Sequence, residues 1–176
     1  MNQETKSALL TGSVAVLTAL AVVFAVGRVR HFRGGGEAGA RVWFYDQSAR
    51  RLYPAPRDLI PPDGSDDTRV RAIVIGFPGV GNEASQLKIA YLEKYSPELK
   101  ALLERAEAAH AAQRPPGEKI PSPNSDFFRD NTLVKLPGES SWHTAGTGEA
   151  RQIMDEWREW RGPAGQSPII SVPSIR

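Results

Sequence analysis

The twenty residues from Ala8 to Gly27 (ALLTGSVAVLTALAVVFAVG) carry no charged side chain, and only Thr11, Gly12, Ser13, Thr18 and Gly27 are not plainly apolar. As a helix this segment is about 30 Å long, the thickness of a hydrocarbon core. A cleaved secretory signal would have a shorter apolar core, of about 7–15 residues, ending in a small-x-small site. Here Ala25-Val26-Gly27 runs straight into Arg28. The expectation is therefore a retained transmembrane helix over 8–27 behind a tail 1–7, with a cleaved signal or a buried core helix as the alternatives. Thr11, Ser13 and Thr18 do not oppose insertion, because their hydroxyls can bond back to helical carbonyls.

Charge sets the expected orientation. Of 22 Lys and Arg and 20 Asp and Glu in the chain, Lys6, Arg28, Arg30 and Arg33 stand against Glu4 alone in the first 33 residues. The remaining 18 basic and 19 acidic side chains bring the rest to −1, so the overall +2 belongs to the membrane flank. Arg28, Arg30 and Arg33 follow the span and Lys6 precedes it. The positive-inside tendency then favours a cytoplasmic body in a bacterial inner membrane, with a periplasmic body as the alternative. The same arginines suit a bilayer with anionic head groups. In the body, acidic and basic residues alternate, which speaks against a nucleic-acid partner.

Gly34-Gly35-Gly36-Glu37-Ala38-Gly39 completes a basic, glycine-rich tether over 28–39. The 137 residues from 40 to 176 suffice for one domain, expected to be α+β: a small, mostly antiparallel sheet with two packed helices. Val42–Asp46 and Arg51–Tyr53 read as a hairpin, with Pro54, Pro56, Pro61 and Pro62 expected to stop the pairing. Val70–Phe77 and Leu87–Tyr95 read as a second hairpin with apolar residues on both faces, as suits the middle of a sheet. Ser96-Pro97 starts a helix in which Leu99, Leu102, Leu103, Ala106, Ala109 and Gln113 continue at helical spacing, ended by Arg114-Pro115-Pro116-Gly117. A polar loop runs to about Asn131, a strand covers Thr132–Leu136, and Thr147 or Gly146 caps a final helix over 148–161 with Ala150, Ile153, Met154 and Trp157 on its apolar side. Ile169–Val172 reads as a last strand.

Chemistry-bearing patterns are sparse. Gly76-Phe77-Pro78-Gly79-Val80-Gly81-Asn82-Glu83 has the glycine spacing of a phosphate loop. Asn82 and Glu83 occupy the positions of the required Lys and Ser or Thr, and a strand rather than a helix follows, so no nucleotide is expected. His31, His110 and His143 lie far apart in sequence, and the chain has no Cys and no H-E-x-x-H. No metal, cofactor or catalytic residue is therefore assigned. Asp63, Asp66 and Asp67 read as a solvated acidic loop that lacks the pattern of a calcium loop. Trp43, Tyr45, Tyr53 and Trp160 are the best candidates for contact with a protein partner, since Trp and Tyr carry much of the energy at interfaces.

The run Val42–Asp46 with Leu52-Tyr53, Pro61-Pro62, Val70-Arg71-Ala72, Tyr91–Glu98 and Trp142 resembles small, single-span, membrane-anchored proteins of planctomycete and verrucomicrobial bacteria. That resemblance implies a bacterial, membrane-anchored setting and brings no activity, cofactor or site residue with it. The expected function is non-enzymatic: a protein-contact domain, such as an accessory subunit of a membrane complex. A pilin-like component and a hydrolase using His143 or the acidic loop are the alternatives.

Overall fold

The computed structural model describes residues 40–64, 66–78, 87–114, 117 and 119–173, all within the unit Gly39–Arg176. The expected span 8–27, its flank Arg28, Arg30 and Arg33, the tether and most of the loop 78–86 lie outside the described residues. The described part is α+β, with a mostly antiparallel sheet and a few helices. Its strands are β1 (Arg41–Asp46), β2 (Arg51–Pro56), β3 (Arg69–Gly76), β4 (Lys88–Tyr95), β5 (Thr132–Lys135), β6 (His143–Thr144) and β7 (Ile169–Ile170). They lie in the order β2-β1-β3-β4-β5-β6, and β7 pairs with β3. The β1 and β7 strands share one edge of β3, at Arg69–Arg71 and Ile75–Gly76 respectively.

The β2 strand corrects an expectation. Pro54 and Pro56 do not stop it: they pair opposite Trp43 and Arg41. They stand two residues apart on an edge strand whose only neighbour among the described strands is β1. Both nitrogens therefore face away from the ladder, where a missing N–H costs nothing.

Among the described residues three α-helices rather than two accompany the sheet: α1 (Pro97–Ala111), α2 (Asp126–Asp130) and α3 (Gly148–Glu156), the last continuing into a 3₁₀ turn over Trp157–Glu159. Each α-helix begins at a hydroxyl cap. Ser96 accepts from the Leu99 amide, Ser125 from Phe128 and Thr147 from Ala150. The short α2 forms in the stretch read as loop because, besides its cap, it buries Phe128 edge-on against the Tyr95 ring at 5.5 Å between centroids. The buried residues of α1 are Leu99 and Leu102, both in its first two turns. The last expected helix tightens at Trp157, whose indole N–H donates to the Met154 carbonyl at 2.7 Å.

Register assigns the side chains to two faces. Tyr53, Phe44, Arg71, Glu93, Val134 and His143 oppose one another in a single row across the sheet. This row lies on the helix-bearing face, where Val134 packs with Ala150 and Ile153 of α3, and Ile75, Phe77 and Ala90 pack with Trp157. A register shift between Ile73 and Val74 puts Ala90 and Tyr91 on this same face, one after the other. The second face is centred on Val70, Ala72, Val74 and Leu92, packed by Trp43, Tyr45, Leu52, Leu87, Ile89 and Trp142. All six come from strands or loops. Each fully buried aliphatic side chain of these clusters contributes about 1.5–3 kcal/mol.

Arg71 interrupts the apolar centre. Its Nη1 donates to Glu93 Oε1 at 3.2 Å and to the Tyr95 hydroxyl at 3.4 Å, and its Nη2 reaches the Leu59 carbonyl. Burial opposes the charge on Arg71, but Glu93 and Tyr95 outweigh it and hold the guanidinium pKa above its usual value. Removing one partner leaves a charge half out of water. Glu93→Gln is expected to lower stability by about 1–3 kcal/mol, and the double variant Arg71→Met/Glu93→Leu by less than the sum of the single losses. Urea denaturation of the four species checks this, and strictly additive losses would contradict the pairing.

Candidate protein-contact face

The second face of the sheet carries two lysines among its apolar residues. Lys135 opposes Leu92, and Lys94 opposes Leu133 two residues earlier on β5, so period-two alternation puts both ammonium stems on the face of Leu92. Trp142 precedes β6 and packs on the same cluster. The Nζ atoms of Lys94 and Lys135 each lie 4.9 Å from the centre of its ring. The indole face is negative, so it attracts both cations.

The two lysines differ in their other partners. Lys94 pairs with Asp67 at 3.0 Å, and the Asp67 side chain is 58% exposed. Asp67 stands in a left-handed conformation (φ 55°), and its carbonyl accepts from Gln47. The expected solvated loop is thus partly fastened, since Asp63 also pairs with Arg69 at 3.7 Å. Lys135 is buried and donates to the Glu139 carbonyl at 2.7 Å. Glu139 turns its carboxylate to the Leu136 amide at 3.2 Å. Among the described residues Lys135 has no carboxylate at ion-pair distance. Burial lowers its pKa first and the Lys94 charge second, with Glu139 acting weakly the other way.

The four aromatic residues singled out in the sequence divide. Trp43 and Tyr45 share the second face with Trp142, and the buried indole nitrogen of Trp43 has no hydrogen-bond partner among the described residues. Tyr53 lies on the opposite face, tilted against the buried Phe44 with ring centres 6.2 Å apart. Trp160 belongs to a third place, beside Phe77 and Trp157, with Lys88 5.9 Å from its ring centre. Trp43 and Tyr45 share a face because residues two apart on a strand point the same way, whereas the facing of Tyr53 and Trp160 is decided by register and packing. Lys94, Lys135 and Trp142 were missed as a group. The available signal was period two again, which puts Lys135 in line with Leu133 and Lys94 in line with Leu92.

The catalytic alternatives find little geometry. His143 Nδ1 lies 3.7 Å from Glu149 Oε2, and among the described residues no hydroxyl is hydrogen-bonded to its ring. The described residues contain no group of three His, Asp or Glu able to hold a metal. Where the glycine-spaced string begins, Gly76 closes β3 and Phe77 is buried, and the next element is the strand β4. Residues 79–83 of that string lie outside the described residues.

Lys135 makes a pH prediction. Its folded pKa lies below the ordinary value of 10.5, so between the two values the unfolded chain binds more protons, and the lysine's contribution to stability rises with pH across that window. The difference in urea midpoint between the wild type and Lys135→Met is expected to move in favour of the wild type as the pH is raised towards the ordinary lysine value of 10.5. A difference that stays constant would contradict the lowered pKa.

No protein-family model matches the chain, and neither does any curated protein or solved structure.

Proposed function

We propose that this is a non-enzymatic, single-pass membrane protein of a bacterial inner membrane whose α+β domain binds another protein, as an accessory subunit of a membrane complex. The observation that supports the binding role is the second sheet face, where Trp43, Tyr45 and Trp142 pack on the central strands and, among the described residues, no helical side chain is packed there. Aromatic groups on a rigid sheet give much contact area for little lost side-chain entropy, which favours a protein contact. The anchor rests on the uncharged run 8–27, and the cytoplasmic side of the domain on Arg28, Arg30 and Arg33.

Two measurements test this reading. With a photo-crosslinking phenylalanine at Tyr45 or at Arg158, on the 3₁₀ turn, irradiated cells are expected to give a discrete adduct with another polypeptide only from Tyr45. No adduct, or equal adducts from both positions, would count against the face. An alkaline phosphatase fused after Arg176 is expected to be inactive, whereas full activity would place the domain outside the cytoplasm.

A further inference from the structure

The cluster around Trp142 has the makings of a recognition site that the aromatic face alone does not explain. Two ammonium groups, each 4.9 Å from the centre of one indole ring, are under about 10 Å apart, within roughly one Debye length at 0.1 M salt. Among the described residues, their mutual repulsion is offset by a single ion-paired carboxylate. That carboxylate, Asp67, is more than half exposed and comes from the loop before β3 rather than from the sheet. At Lys135 the like charge of Lys94 outweighs the carboxylate of Glu139. Burial of Lys135 against apolar neighbours makes any incoming negative charge worth more there than at an open surface.

We propose, resting on the protein-contact reading above, that Lys94, Lys135 and Trp142 form a receptor for an acidic side chain of the partner: an Asp or Glu carboxylate that takes the place of Asp67 on Lys94 and reaches Lys135. Asp67 shows the geometry a carboxylate adopts on Lys94, at 3.0 Å. Trp43 and Tyr45, on the same face, supply apolar contact for the flanking residues of such a peptide. A single carboxylate suits this site better than a polynucleotide, because the body of the chain carries −1 overall and alternates its charges, whereas nucleic-acid binding needs many phosphates neutralised.

The probe is an acetylated and amidated hexaglutamate, titrated into the full chain in zwitterionic detergent, with tryptophan fluorescence and lysine ammonium NMR as readouts. Saturable binding is expected, weakened about tenfold or more by Lys94→Met and by Lys135→Met. Asp67→Asn should tighten it several-fold, because the internal competitor is gone while Asn tolerates the left-handed backbone. That gain cannot arise from misfolding, so it protects the test against unstable lysine variants.

Several outcomes would overturn the proposal. They are no saturable binding at about 1 mM peptide, affinity indifferent to both lysine variants, looser binding in Asp67→Asn, equal binding of inorganic phosphate, or tighter binding of an oligothymidylate. If the Tyr45 adduct persists in Lys94→Met and Lys135→Met, the acidic receptor fails while the protein-contact reading stands; if wild type gives no such adduct, that reading itself falls.

Discussion

Everything in the domain depends on β3 and β4 being buried on both faces. A strand with one apolar face needs one covering layer, but Val70, Ala72 and Val74 alternate with Ile73 and Ile75, so this hairpin needs two. One layer is supplied by α3 and its 3₁₀ turn, with Ala150, Ile153 and Trp157. The other consists of side chains from the sheet's own outer strands and loops, chiefly Trp43, Tyr45, Leu52 and Trp142. Large aromatic residues are what allow this, since each covers about 150–250 Å² and can shield the strand beside its own.

That division explains where polar groups are tolerated. On the helix-bearing face Arg71 is accommodated by Glu93, Tyr95 and the Leu59 carbonyl together. On the other face Lys94 and Lys135 extend under an indole, and each finishes on an oxygen, Asp67 for one and the Glu139 carbonyl for the other. Long basic side chains cover apolar surface with their stems and keep their heads among acceptors. The first face thus reads as a core with the Arg71–Glu93 ion pair inside it. The second mixes aromatic and cationic surface, which is why the binding proposals belong there.

Local elements were legible wherever the chemistry is short-range. Ser96 followed by Pro97, and Thr147 ahead of Gly148, mark helix starts because a hydroxyl at that position satisfies a free amide of the first turn. The central hairpin was legible from its two-sided apolar pattern. The prolines of β2 misled, because proline breaks a strand only when its nitrogen faces a neighbour, and which edge is free is a property of the assembled sheet. The helix at Asp126 was missed for a similar reason: five residues make a poor helix alone, and Phe128 is held by Tyr95, 33 residues away in sequence.

By itself the sequence determined the uncharged run with its arginine flank, the near-neutral body, the Ser96 cap, and the pairing of hydrophobic strands into hairpins. These follow from composition and from contacts a few residues long. Tertiary structure decided which aromatic residues meet. It separated Tyr53 and Trp160 from Trp43 and Tyr45, and brought Lys94, Lys135 and Trp142 to one ring from three strands or strand ends. Period two says only that successive residues face opposite sides; which residues of different strands become neighbours depends on strand order and register, and those are set by the packing of the whole sheet.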